Sequence, residues 1–187
     1  MKPEDVLLLI IEKLERYGIN YMITGSFASN LHGVPRATFD ADIVIDSNLE
    51  IVRNFLKEIQ QDFYTDIEMV KEAFDKGGMF NILHFETGFK IDFIIKKKGD
   101  YFEREFERRR PYKFKNKICF FASPEDTILS KLWWAKKSRS ERQFQDALEV
   151  AKVQGKNLDK KYLLYFAKLL NTSTLLQKLF QEIKSKK

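Results

Sequence analysis

The sequence predicts an α+β protein, a mixed β-sheet with flanking helices followed by a C-terminal helical bundle. Three observations predict it. Short runs rich in β-branched and aromatic residues alternate with helical periodicity over the first two thirds of the chain. Glycines and capping residues punctuate those runs, and from Ser123 onward only helical patterns remain. The expected division is an α/β core over residues 1–122 and a helical region over 123–187.

Taken in order, Pro3–Tyr17 reads as a helix with Pro in its first turn, Glu4 and Asp5 at its positive end, and Gly18 as its stop. Tyr21–Thr24 is a short buried strand that ends at Gly25-Ser26, and Phe27–His32 is a short helix closed by Gly33. Phe39–Ile45 alternates acidic and apolar residues, so as a strand it places Asp40 and Asp42 on one face. Helices follow over Leu49–Gln60, capped by Ser47 or Asn48, and over Ile67–Phe74. Met79–Phe85 and Phe89–Ile95 form a hairpin around Glu86-Thr87-Gly88, with Asp92 inside its second strand. Tyr101–Arg109 is a charged surface helix, and a strand lies near Lys117–Phe121. Ser123-Pro124-Glu125-Asp126 is a strong helix start, opening helices over Glu125–Lys137, Glu141–Gln154, Asp159–Leu170 and Ser173–Ser185.

Composition narrows the chemistry. The chain has 187 residues, 44% hydrophobic and 32% charged, which suits a globular domain with a sizeable core. No stretch approaches the roughly 20 apolar residues that span a bilayer, and acids stand where a signal peptide would be basic, so the expected location is the cytoplasm, away from any membrane. Cys119 is the single cysteine, and His32 and His84 are the two histidines. A thiolate or imidazole metal cage is excluded, and any metal must be a hard cation held by carboxylates. The net charge of +6 suits a polyanionic partner, an NTP or a nucleic acid, but serves solubility equally well.

Three acids interrupt otherwise apolar strands: Asp40 and Asp42 in Phe-Asp-Ala-Asp-Ile-Val-Ile, and Asp92 in Phe-Lys-Ile-Asp-Phe-Ile-Ile. Asp is a poor strand former, and an unpaired buried carboxylate is costly, so three of them call for a common partner. Mg²⁺ suits oxygen-only ligation, with Mn²⁺ as the second candidate. Two such ions about 3.5–4 Å apart steady the attacking and leaving oxygens of a phosphoryl transfer. Asp40 and Asp42 are the expected ligands of the nucleotide's metal, and Asp92 completes the second site and helps deprotonate an acceptor hydroxyl. Upstream, a strand ending in Gly25-Ser26 and turning into a helix offers backbone N–H groups and a positive dipole to phosphate. Arg36 is placed to touch phosphate or to pair with an acid. The basic run Lys96-Lys-Lys to Lys117 reads as a solvated face before it reads as an RNA guide.

Gly25-Ser26, thirteen intervening residues, Asp-Ala-Asp-Ile and a third strand Asp together resemble the polymerase-β-type nucleotidyltransferases over residues 20–95. Arg36-Ala-Thr38-Phe-Asp-Ala-Asp is similar to the Arg-x-Thr-x-Asp-hydrophobic-Asp segment of small bacterial and archaeal members; Thr24 departs from an apolar residue usual there. The resemblance implies a nucleotidyltransferase fold in which Gly25, Ser26, Arg36 and Thr38 bind nucleotide and Asp40, Asp42 and Asp92 bind metal. Beyond residue 120 the chain resembles the AbiEii-type toxin branch, where a Lys-bearing helix precedes one with an Arg-x-x-x-Asp segment. Lys131, and Arg142 with Asp146, match it. By that resemblance Lys131 neutralises the triphosphate, Asp146 positions Lys131 or the base, and an antitoxin is the implied partner.

The expected activity is metal-dependent transfer of an NMP from an NTP, such as ATP, to an acceptor hydroxyl on RNA (tRNA among them), protein or a small molecule. Pyrophosphate is the expected leaving group. The alternative is a non-catalytic module of the same fold that binds nucleotide, RNA or a partner protein. A phosphohydrolase using the same acids ranks last, since the chain lacks the His-Asp pairs such enzymes carry.

Overall fold

The computed structural model describes residues 1–185; Lys186 and Lys187, which close the expected helical region, lie outside the described residues. Helix α1 (Pro3–Arg16) buries Val6, Leu7, Leu8, Ile10, Ile11 and Leu14, an apolar stripe in which each side chain contributes about 1.5–3 kcal/mol on burial. The chain continues through β1 (Asn20–Thr24), α2 (Gly25–His32), β2 (Asp40–Asp46), α3 (Leu49–Ile59), β3 (Phe63–Thr65), α4 (Ile67–Lys76), β4 (Met79–His84) and β5 (Lys90–Ile95). Then come α5 (Asp100–Glu107), β6 (Arg110–Phe114), β7 (Lys117–Phe121), α6 (Pro124–Ser138), α7 (Glu141–Gln154), a 3-10 turn (Gly155–Asn157), α8 (Lys160–Leu169) and α9 (Ser173–Ser185).

Two compact units result: Met1–Thr24 with Thr38–Phe121, and Gly25–Ala37 with the chain from Ala122 onward. The second unit thus starts one residue before the expected boundary and also takes in α2 and the loop after it.

In the first unit, among the described residues, a seven-stranded sheet has the order β3-β4-β5-β2-β1-β7-β6. It is mixed: β1–β7 and β2–β5 are parallel, and β1–β2, β3–β4, β4–β5 and β6–β7 antiparallel. Along β2, Ala41, Ile43 and Ile45 are buried while Asp40, Asp42, Val44 and Asp46 are half-buried, so the acids lie on the more open face. On the opposite face Phe93, the register partner of Ile43, meets Phe55 of α3 edge-on at 5.9 Å and stacks on Phe80 at 5.1 Å. Strands β3 and β6 are the two the sequence did not announce. The first has only three residues, and the second carries Pro111 between Arg110 and Tyr112, a composition tolerated at a sheet edge, where it sits.

The second unit is helical. Ile128, Leu129, Leu132, Ala147, Leu148, Leu163 and Leu179 are fully buried in it. Ser123 caps α6 by accepting from the Asp126 N–H, and Pro124 occupies the first turn, as the sequence predicts. The end of α2 lies hard against α7: a Cβ on Gly33 would stand 2.9 Å from the Val150 nitrogen and 3.0 Å from the Ser29 carbonyl oxygen. His32, 2% exposed, donates from Nε2 to the Ala122 carbonyl at 2.8 Å, the only role that pairs with a carbonyl oxygen. Among the described residues no helix is long and apolar enough to cross a membrane.

Candidate active site

Strands β2 and β5 run parallel and set Asp40 opposite Lys90 and Asp42 opposite Asp92. Register partners share a face, as do residues two apart on one strand, so all four charged side chains belong to one face of the sheet. Thr24 of β1 lies opposite Asp42 and Asn81 of β4 opposite Asp92, making a polar row Thr24, Asp42, Asp92, Asn81 across four neighbouring strands.

Each acid is held differently. Asp92 is 5% exposed; its Oδ2 accepts from Lys90 Nζ at 2.6 Å, while its Oδ1 is buried without a hydrogen-bond partner among the described residues. The hydrogen bond to Asp92 raises the Lys90 ammonium above its ordinary pKa despite desolvation, and the charges of Asp92, Asp40 and Asp42 add to it. Thr38 Oγ1 lies 3.0 Å from Asp40 Oδ1 and 3.2 Å from the Asp40 carbonyl oxygen, fixing that side chain at the strand's start.

A carboxylate with one oxygen buried and unpartnered among the described residues fits a hard cation, since leaving such an atom unsatisfied is costly. The full trio expected from the sequence shares its face but not a common point. Among the described residues no three His, Cys, Asp or Glu side chains gather closely enough to hold a metal ion. Lys90 draws Asp92 to itself and Thr38 draws Asp40.

The second unit holds the other expected residues in one network. Gly25 opens α2 with φ 60°, a backbone conformation costly for any residue with a Cβ. Arg36 grips Asp146 with both arms of its guanidinium, Nε to Oδ1 at 2.9 Å and Nη2 to Oδ2 at 2.7 Å, and Nη2 also donates to Ser26 Oγ at 3.0 Å. Lys131 donates to Asp146 Oδ2 at 2.8 Å. Burial pushes the Asp146 carboxyl up, but the hydrogen bonds and charges of Arg36 and Lys131 outweigh it and hold the group below the ordinary range. Asn30 locks the backbone of Arg36, donating to its carbonyl at 2.7 Å and accepting from its N–H at 3.1 Å. The Lys131 side chain is 4% exposed and that of Arg36 27%, so Arg36 is the cation of this network more open to an incoming anion.

Sequence reasoning passed over Lys90. Its signal is in plain view: Lys-Ile-Asp puts a cation two residues before Asp92, on the same face of any strand. Much of the basic run is neutralised where it stands. Lys96 pairs with Asp46 at 2.7 Å and Glu103 at 3.1 Å, Lys117 with Glu15 at 2.7 Å, and Lys115 with Asp5.

No protein-family model and no curated protein matches the chain. Solved structures do. The lincosamide antibiotic adenylyltransferase LnuA in its lincomycin-bound form shares 13% identity over 82% of this chain and 98% of its own, with a TM-score of 0.58. The solution structure of the antibiotic-resistance factor ANT(2'')-Ia gives 11%, 97%, 95% and 0.58 in the same terms. An antigenic nucleotidyltransferase-like protein from Paracoccidioides brasiliensis gives 17%, 96%, 92% and 0.57. The chain has the fold of these nucleotidyltransferases, a mixed sheet with helices and a helical C-terminal region.

Proposed function

We propose that the protein is a nucleotidyltransferase that moves an NMP from an NTP to an acceptor hydroxyl. One observation carries this reading: Asp42 and Asp92 stand opposite each other on a parallel strand pair, the second with a buried carboxylate oxygen that no described residue satisfies. That arrangement occurs on a fold that LnuA and ANT(2'')-Ia also have, the latter seen with adenylyl-2''-tobramycin in a second structure of TM-score 0.56.

In this reading Asp40 and Asp42 would hold Mg²⁺, or Mn²⁺ in its place, which would supply positive charge to the triphosphate. The hydroxyl oxygen forms a bond to the α-phosphorus, its proton passes to Asp92 Oδ1, and the bond to the bridging oxygen breaks, the electron pair leaving with pyrophosphate. Thr38 orients Asp40. Arg36, held by Asp146 and touching Ser26, offers charge to phosphate, and Lys131 keeps Asp146 ionised and in place. The protein's contribution is position and fixed charge rather than covalent chemistry.

The acceptor class is RNA, a protein or a small hydroxylated molecule. A toxin's role with an antitoxin partner rests on the AbiEii resemblance alone. Incubation with each α-phosphate-labelled NTP and Mg²⁺, alone and with total tRNA, cell protein or an aminoglycoside, tests the reading. Label joined to an acceptor with pyrophosphate released supports it. Saturable nucleotide binding without turnover supports the non-catalytic module, and NDP with inorganic phosphate supports a hydrolase.

A further inference from the structure

We infer that Lys90 is the resident second cation of the acid face, so that this chain takes one divalent ion where three strand carboxylates alone would take two. The inference rests on the cation-binding role proposed above for Asp40, Asp42 and Asp92, and specifies it.

The argument starts from the array on β2 and β5. Strands lie about 4.8 Å apart and same-face neighbours along a strand about 6.6 Å apart, so Asp40, Asp42, Lys90 and Asp92 occupy the corners of one small patch. Three carboxylates so close repel one another, and like charges directly opposite, as Asp42 and Asp92 are, destabilise a strand pair. Lys90 answers that repulsion. Its Nζ lies 2.6 Å from Asp92 Oδ2, on the face that Asp40 and Asp42 share.

The available oxygens then decide how much further cation the patch accepts. A second divalent ion would compete for Asp92 with a lysine already bound to it. Asp92 offers Oδ1 alone, buried and unpartnered among the described residues, because Oδ2 is taken. No three carboxylates among the described residues close on one point. Asp40 and Asp42 are left to hold the ion that accompanies the nucleotide. The Lys90–Asp92 pair replaces the other, with the ammonium fixing Asp92 through Oδ2. Lys90 is thus a positioning residue and a substitute for a metal at once.

Manganese counting by electron paramagnetic resonance, in the presence of saturating α,β-methylene ATP, tests this without turnover. The intact protein is expected to bind one Mn²⁺ per chain, Lys90→Arg also one, and Lys90→Gln two, with the second at least ten-fold tighter than any further binding to the intact protein. Asp42→Asn is expected to abolish the first. Two equivalent Mn²⁺ ions on the intact protein, or an unchanged count in a folded Lys90→Gln protein, would overturn the role of Lys90 and leave the transferase reading standing. Manganese binding that is indifferent to Asp42→Asn overturns both.

Discussion

Asp42 and Asp92 come from segments fifty residues apart in sequence and stand directly opposite each other in the parallel ladder of β2 and β5. The interval between them is used by α3, β3, α4 and β4, which return the chain to the side of β2 away from β1. A protein that needed only a stable sheet would gain by an apolar pair at these positions. In the proposed reading, the acids mark where stability gives way to function.

Replacing Asp42 by Asn separates the two. Its carboxylate lies on the more open face of β2, and neutralising it relieves repulsion with Asp92. Thermal unfolding of the metal-free Asp42→Asn protein is expected at or above the temperature of the parent. Nucleotidyl transfer is expected to fall by about 10²–10³-fold or more, the usual effect of losing one preorganised charge at a phosphoryl centre.

Asp146 behaves in the opposite way. It is the shared anion of Arg36 and Lys131, and Asp146→Asn takes this carboxylate from a buried ammonium. The expected loss is about 3–5 kcal/mol, read from urea unfolding. Because the folded carboxyl titrates below its unfolded value, its contribution is fully present above the ordinary Asp pKa of about 3.9. It is lost as the pH falls through the lower folded value. The unfolding midpoint of the parent is expected to drop across that acid window more steeply than that of Asp146→Asn.

Gly33→Ala tests the close approach of α2 to α7. The added methyl would meet backbone atoms of Val150 and Ser29 that cannot swing aside, so a destabilisation of about 1–3 kcal/mol is expected in urea. Gly88→Ala makes a contrasting control: its Cβ has open space, and its cost comes only from the backbone's φ of 67°.

Much of this architecture was legible in the chain. The alternation Asp-Ala-Asp-Ile predicts both the strand and the shared face of its acids, and Ser123-Pro124 predicts the start of α6 to within one residue. These signals are local, so the sequence carries them whole. What escaped was set by pairing partners. Phe63–Thr65 is too short to show a period, and Arg110–Phe114 is a strand only because β7 lies beside it. The grip of Arg36 on Asp146 joins residues more than a hundred positions apart, and no spacing rule announces it; an acid as its partner was one of two readings. Lys90 was visible but passed over, because a lone lysine gains meaning only when the register sets it beside three carboxylates.

The central claim is that the acid face of β2 and β5 holds the metal of a nucleotide about to lose its pyrophosphate. A crystal structure with Mg²⁺ and α,β-methylene ATP tests it most directly. A cation about 2.1 Å from a carboxylate oxygen of Asp42, bridging to the α-phosphate with Asp92 facing the same phosphorus, is the expected result. A triphosphate seated away from this face, or one that turns its γ-phosphate to Asp42, would contradict it.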